Sequence, residues 1–501
     1  MIIAAHKLEQ AGDLTGAIQL LEEALAAAPA NLGALAGLAR ISGRLQDPGL
    51  ALELWTSVLA REPLHLEALI GRARALDDLG RPAEATAALR AALDTSPAEA
   101  RLWGALGRVT NQQGDRAAAL VYFEEAVWLS PGSAAARYNR GCARLDGGDL
   151  AGAESDFATA RRRARTPEEQ AMADLAFAMT RLSRGSLSAG WAAYEARLEP
   201  GHPSSPRFDI PGRRWGPAAP LAGLHLLAVG EQGIGDQIMF ANPLAQVVTA
   251  LGATGDLSIA VDPRLMTLFQ RSFPTAHLLP LETERIGDRV WHRAAASGRP
   301  VDLWTPIPSL LQSFRPTHRD FPTDRGFLTP DAGRVAHWRA WLAGSGPTVG
   351  VSWRSRKAVA ERRRRYPPLE DWAPILRTPG VRLVTLQYGV EREELAALAT
   401  LRGAALLEPP GLDPFNDMDD LAALCVALDA VVSVPNATAA LAGACGAKVL
   451  FLDPEAAWPR LGGTGYPWYP GAMSFPVRGD DWSSAVSGAA AELGKLAREA
   501  A

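Results

Sequence analysis

The chain runs to 501 residues, 48% hydrophobic and 21% charged, with a formal charge of −4. That length exceeds a single hydrophobic core, so two or three domains are expected, and the near-neutral balance argues against a chain drawn onto nucleic acid. The N-terminus, Met-Ile-Ile-Ala-Ala-His-Lys, lacks a basic segment leading into an apolar one, and no stretch of about 18 apolar residues occurs, so neither a signal peptide nor a membrane span is expected and the expected location is the cytoplasm.

From the first residues onward the chain repeats. Pro29, Pro63, Pro97 and Pro131 stand 34 residues apart. Small residues (Ala17, Ala51, Ala85, Ala119) precede them at one fixed offset and bulky ones (Leu21, Trp55, Leu89, Phe123) at another. Ala24, Val58, Ala92 and Ala126 form a third column. Gly12, Gly80 and Gly114 occupy the turn between paired helices, with Gln46 in the second unit. A fifth unit follows the same order with Gly141, Gly148, Ala153, Phe157 and Ala160, and a divergent sixth helical pair is expected over 168–198. Small residues let helices approach, a large one fills the gap, and proline stops the second helix. The pattern resembles the tetratricopeptide repeat, so residues 1–198 are expected to form an α-solenoid whose concave face takes a protein partner.

Residues 199–220 are rich in proline and glycine and are taken as a junction without helix or ladder. Beyond it, short apolar runs at 224–229, 257–261, 348–353, 381–386, 430–434 and 448–452 alternate with helical patterns at 237–251, 331–343, 391–401, 418–428 and 437–445. Strand–helix alternation predicts parallel sheets covered on both faces. Residues 221–345 and 346–501 read as two such units, with the helix at 484–499 packing back on the first. The fold class is α plus α/β, and two facing units match the glycosyltransferase B (GT-B) architecture, two Rossmann-like halves facing a cleft.

Three turns carry candidate chemistry. The first strand ends in Gly230-Glu231-Gln232-Gly233-Ile234-Gly235-Asp236-Gln237. Glycines there let a ligand approach bare backbone, and a helix N-terminus favours anions. The order is neither a dinucleotide fingerprint nor a Walker loop. Asp236 suits a general base at a cleft-facing turn and equally suits an N-cap; the residues alone leave both open. The second unit opens with a strand running into Ser352-Trp353-Arg354-Ser355-Arg356-Lys357. Arg354 and Lys357 at its end are placed to neutralise a departing phosphate, whereas Arg362–Arg365 read as a solvated loop. The third turn, Ser433-Val434-Pro435-Asn436-Ala437-Thr438, offers an anion-binding helix start or an ordinary cap. Gln387 and Tyr388 end another strand and are candidates for a nucleobase or ribose. Asp417, Asp419 and Asp420 read as helix-capping residues, and Cys142, Cys425 and Cys445, without metal-ligand spacing, as small buried apolar groups. No metal site is expected.

Taken in order, Gly190-Trp191 with Tyr194-Glu195, the run at 230–236, Val-Gly-Val-Ser-Trp-Arg at 349–354, Leu386-Gln387-Tyr388, Leu-Ala-Gly-Ala at 441–444 and Trp468-Tyr469-Pro470 resemble bacterial tetratricopeptide proteins whose C-terminal domain is similar to the heptosyltransferase-type (family 9) glycosyltransferases. The resemblance implies metal-independent, inverting transfer from a nucleotide sugar, with no further cofactor. It implies that Asp236 is the catalytic base. It places the nucleotide sugar against Gly233, Gly235, Gln237, Ser352, Arg354, Lys357, Gln387, Tyr388, Asn436, Ala437 and Thr438. Tyr366-x-x-Leu369-x-x-Trp372 and the variant third turn look like a subset implicated in flagellin glycosylation, which implies flagellin as protein acceptor and a CMP-linked nonulosonic acid such as pseudaminic acid as donor. Two alternatives share the fold: transfer to lipopolysaccharide or another glycan, and a non-catalytic scaffold. The second rests on Pro435, Asn436 and Ala440, where such relatives carry an Asp-Thr pair and a His.

Overall fold

Side-chain caps start most of the N-terminal helices. Asp13, Asn31, Asp47, Asp115, Ser133 and Asp149 each accept a backbone N–H from the first turn that follows. Twelve helices result: α1 (Ile2–Ala11), α2 (Leu14–Ala27), α3 (Leu32–Arg44), α4 (Pro48–Leu59), α5 (Leu66–Asp78), α6 (Pro82–Thr95), α7 (Ala100–Gln112), α8 (Arg116–Leu129), α9 (Ala134–Asp146), α10 (Leu150–Arg163), α11 (Pro167–Ser183) and α12 (Leu187–Tyr194). The turn inside each pair needs a left-handed residue: Gly12, Gly80, Gly114 and Gly148 supply it, and Gln46 adopts φ 64° where the second unit has no glycine. A Cβ on Gly107 would sit 2.8 Å from the Phe123 ring, and one on Gly141 2.7 Å from Phe157, so the large column of the repeat fits into holes left by glycines on the first helices. First helices of successive pairs (α1, α3, α5, α7, α9) pack on one another and so line the inner side of the stack.

The computed structural model describes residues 1–500 except 218, 288, 295–297, 299, 324–325, 356–365 and 478–480. Lys357 and the Arg362–Arg365 run therefore lie outside the described residues. Two compact units form: Met1–Phe177 with Ala196–Arg207 and Glu284–Trp291, and Ala178–Glu195 with Phe208–Thr283 and His292–Ala501. The last helical pair is thus divided, short of the expected boundary at 198. Its second helix, α12, groups with the second unit because Trp191, 1% exposed, donates its Nε1–H to the Arg315 carbonyl at 2.9 Å and sets its ring edge-on against Trp458 and Trp468.

Beyond the repeats the chain forms two sheets. The first contains β1 (Arg207–Asp209), β2 (Arg213–Arg214), β3 (His225–Val229), β4 (Asp256–Val261), β5 (His277–Ile286), β6 (Arg289–Ala294) and β7 (Leu303–Pro306), in the order β1-β6-β5-β4-β3-β7-β2. Its helices are α13 (Ile234–Phe240), α14 (Leu244–Leu251), α15 (Met266–Ser272) and α16 (Leu311–Phe314). The proline-rich junction does form ladder after all: β1 and β2 lie there, both at sheet edges, where proline neighbours are tolerated. The single helix expected over 237–251 is instead α13 and α14, parted ahead of Leu244 by Pro243, which cannot continue the ladder of helix bonds.

After α17 (Ala332–Trp341), the second sheet contains β8 (Thr348–Ser352), β9 (Arg382–Thr385), β10 (Ala430–Ser433), β11 (Val449–Pro454) and β12 (Ala472–Val477), in the order β12-β11-β10-β8-β9. Its helices are α18 (Ala373–Leu376), α19 (Arg392–Arg402), α20 (Met418–Ala427), α21 (Ala437–Ala444) and α22 (Ser483–Glu499). By packing, α17 joins this layer ahead of the expected boundary at 345: its Trp338 donates to Asp420 on α20 at 2.9 Å. The terminal helix α22 does not return to the first sheet. Ala485, Val486, Ala489 and Leu493 bury into the second core with Val349, Ile375 and Leu450, and Glu492 accepts from Lys448.

Candidate functional site

Both sheets place a central strand between neighbours reached by opposite crossovers. β3 pairs with β4 on one side and β7 on the other, and β8 pairs with β9 and β10. Loops leaving the carboxyl ends of strands at such switch points diverge and open a crevice, the usual ligand position in open α/β sheets. The three chemistry-bearing turns of the sequence are the loops after β3, β8 and β10.

The loop after β3 is tightly held. Gln232 sits at φ 64°, a conformation costly for a residue with a Cβ. Its Nε2 donates to Glu231 at 2.9 Å and to the Tyr194 hydroxyl at 3.1 Å. The N–H of Gly233 donates to Asp236 Oδ2 at 3.2 Å, so Asp236 closes the first turn of α13 while its side chain stays half-buried. A Cβ on Gly235 would lie 3.2 Å from the Cα of Ala437, which brings the first turns of α13 and α21 into backbone contact. Tyr469, packed against Gly443, has its phenol held above the usual range by burial and then by the Asp236 charge. Gln237, by contrast, is a strut: it is 4% exposed and its Oε1 accepts the Asp262 N–H at 2.9 Å.

The loops after β8 and β10 are tied together from below. Ser352, fully buried, donates to Gln387 Oε1 at 3.2 Å and accepts from Asn436 Nδ2 at 2.9 Å. Gln387 Oε1 also takes the N–H groups of Trp353 and Arg354, while its Nε2 donates to the carbonyls of Arg354 and Tyr388. Asn436 caps α21 through the Ala439 N–H. These residues are brought together, but as a scaffold beneath the crevice, and the expected ligand-facing role of Gln387 gives way to this one because every polar atom of its amide is engaged by the chain. Tyr388, 8% exposed, packs towards Phe415. Arg354 is also redirected: its Nε donates to Glu394 at 2.7 Å and its Nη2 to the Gly389 carbonyl at 2.7 Å. The Glu394 hydrogen bond, opposed by desolvation, holds the guanidinium pKa above normal.

At the start of α21, Thr438 differs from these. It is 1% exposed, and its hydroxyl has no hydrogen-bond partner, an uncommon state for a buried polar atom. A helix start combines N–H groups without intrahelical partners and the positive dipole end, so Thr438 and the α21 N-terminus make a local environment that favours an anion, close in the fold to the turn that carries Asp236.

Two participants escaped the reading of residues alone. Glu231 is 1% exposed, and its charge partly offsets the lowering that burial imposes on His292. Its place beside the glycines was visible, but nothing in the spacing said it would be buried. Tyr194 was legible only as a family marker, because its contact with Gln232 joins residues 38 apart. Asp417 does cap α20, accepting the Asp420 N–H at 2.9 Å, and Asp419 pairs with Arg271 at 2.7 Å. Among the described residues no group of three or more His, Cys, Asp or Glu is arranged to hold a metal ion, and no helix is long and apolar enough to cross a membrane. Cys425 and Cys445 are buried, and burial pushes the Cys425 thiol up to about 12.

Comparison with known proteins bears on the array first. A tetratricopeptide repeat model matches residues 37–100, 70–136 and 105–169. Among solved structures the chain is similar to a thermophilic TPR protein of Thermus thermophilus, at 24% identity over 35% of this chain and 96% of that one with a TM-score of 0.32. It is also similar to pilF of Pseudomonas aeruginosa, at 23% identity over 41% of this chain and 91% of that one with a TM-score of 0.31. Protein FlbA of Caulobacter vibrioides is 41% identical over 478 residues, which are 94% of this chain and 80% of that protein. With the repeat array and the two-sheet unit both inside that match, the chain belongs to the FlbA family.

Proposed function

We propose that the chain is an inverting, metal-independent protein O-glycosyltransferase of GT-B type that docks a protein acceptor on its tetratricopeptide array. The observation that carries the reading is the contact between Gly235 and Ala437. It brings the turn that carries the half-buried Asp236, after a strand of one sheet, against a helix start that follows a strand of the other. Asp236 would take the proton from an acceptor hydroxyl as the oxygen attacks the anomeric carbon. The nucleotide would leave towards Thr438 and the amides at the start of α21, where hydrogen bonds to the departing phosphate stabilise the developing charge. The loop scaffold of Ser352, Gln387 and Asn436 fixes that helix start, which is the preorganisation such stabilisation needs.

Flagellin and a CMP-linked nonulosonic acid, implied by the resemblance, are the first acceptor and donor to try. Incubating the protein with candidate acceptors and a panel of nucleotide sugars, then measuring intact acceptor mass, tests the reading. Mass added to Ser or Thr supports it, whereas transfer only to a glycan moves the acceptor class. A non-catalytic scaffold gains weight from one feature: Arg354, expected to neutralise the donor phosphate, is committed to Glu394. Absence of any transfer across the panel, with no nucleotide raising the melting temperature, would favour that scaffold.

A further inference from the structure

Charge is sorted between the two helix classes of the array. Over the five pairs, the inner helices α1, α3, α5, α7 and α9 carry nine arginines and one lysine against five carboxylates, while the outer helices α2, α4, α6, α8 and α10 carry nine carboxylates against five arginines. Three of the inner arginines, Arg40, Arg74 and Arg108, recur at intervals of 34 residues. They therefore occupy one position of the repeat and form a column along the inner face. Internal compensation falls along that column. Arg40 is bracketed by Glu9 at 3.2 Å and Glu67 at 3.0 Å. Arg74 has Asp78 at 3.8 Å, the limit of ion-pair range, with both side chains largely exposed. On Arg108, Nη2 is buried and has no hydrogen-bond partner, and Nε of Arg72, on α5, is in the same state. Burial, then repulsion from Arg74, lowers the Arg108 pKa, with Asp77 and Asp78 only partly opposing this. Further on, Arg137, Arg140 and Arg144 on α9 share the single buried carboxylate of Asp156.

We propose that the inner face formed by α5 and α7 binds an acidic, extended segment of a protein partner, with Arg74 and Arg108 receiving its carboxylates. This rests on the reading that the array docks a protein and names the kind of segment it takes. A guanidinium with an unmatched buried N–H is completed by a carboxylate, which accepts in bidentate geometry, and a basic inner stripe above an acidic exterior orients such a segment and raises its rate of encounter.

The test uses the full chain and a fluorescein-labelled peptide of about twelve residues, roughly 40 Å when extended, in which Asp and Glu alternate with Gly and Ser. A second peptide has Asn and Gln in their place. Fluorescence anisotropy should show the acidic peptide binding and the amide peptide failing to bind, with affinity falling as salt rises. Arg74→Gln and Arg108→Gln should each weaken binding about tenfold or more, while Arg90→Gln on the outer helix α6 leaves it unchanged. Arg74 is exposed, so its variant keeps the test open if Arg108→Gln melts early. Equal binding of both peptides, wild-type affinity in Arg74→Gln, or tighter binding of a single-stranded oligonucleotide of matched charge would overturn the proposal. No nucleotide sugar enters this assay, so loss of sugar transfer and loss of acidic-peptide binding are separate outcomes.

Discussion

A Cβ added to Gly235 would stand 3.2 Å from the Cα of Ala437, closer than side-chain carbons ordinarily approach a backbone. The first turn of α13 and the first turn of α21 therefore meet through a glycine, and the separation between Asp236 and Thr438 is set there. Gly235→Val should force the two turns apart. Nucleotide-induced rise in melting temperature should shrink, because a stabilising ligand reports its own affinity. Sugar transfer should fall with it, while the circular dichroism of the helical array stays unchanged.

Asp236 accepts the Gly233 N–H and stays half-buried, and the proposed reaction gives it a second duty as the base. Asp236→Asn keeps an acceptor for Gly233 but removes the base. Transfer should drop by about 10²–10⁴-fold while nucleotide binding, read from melting temperature, holds. If Asn at 236 transferred sugar at the wild-type rate, the base would have to be another group, with the buried Glu231 next in line.

Local chemistry made the array and the strands legible. The 34-residue column of prolines and the paired small and large positions state their own packing, and Gln46 even marked where a left-handed turn lacked its glycine. Six of the described strands carry too little intrinsic signal to be read: β1 and β2 are edge fragments among prolines, β5 is mostly exposed, β6 and β12 are mostly half-buried or exposed, and β7, though buried, is only four residues long. The candidate site was legible as three turns but not as a division of labour. Ser352, Gln387 and Asn436 looked like ligand contacts because polar residues at strand ends face crevices as often as they brace them. Only the mutual hydrogen bonds, between residues 35 and 84 apart, show that they brace. Arg354 was misassigned for the same reason, its partner Glu394 lying 40 residues away.

Trp191 closes the helical repeats and yet stands in the aromatic cluster of the second unit with Tyr194, Trp458 and Trp468. Trp191→Ala should destabilise the chain by about 3–5 kcal/mol, the usual cost of emptying a large buried aromatic site. Tyr194→Phe is the milder companion. It keeps the ring stacking on Trp458 but deletes the hydroxyl that accepts from Gln232. Its melting temperature should stay near wild type while the catalytic rate falls more than donor affinity, since the strained loop before Asp236 loses an anchor.

The second sheet carries a titration that stability measurements can read. Asp453, fully buried on β11, accepts from Ser474 at 2.7 Å and Tyr466 at 3.1 Å, and burial raises its pKa from 3.8 to about 6. A carboxyl whose folded value is raised favours the protonated folded state. Its ionisation thus costs stability fully above about pH 6, and the cost fades as pH falls from there towards 3.8. The gap of about two pKa units corresponds to about 3 kcal/mol. Asp453→Asn retains an oxygen acceptor without the charge, so it should melt higher than wild type at pH 7.5, by roughly the equivalent of 2–3 kcal/mol, with the difference vanishing near pH 4. Should the variant melt lower than wild type at pH 7.5, the ionised carboxylate would be stabilised through Ser474, Tyr466 and the nearby Arg460 charge by more than its burial costs, and desolvation would not govern this strand end.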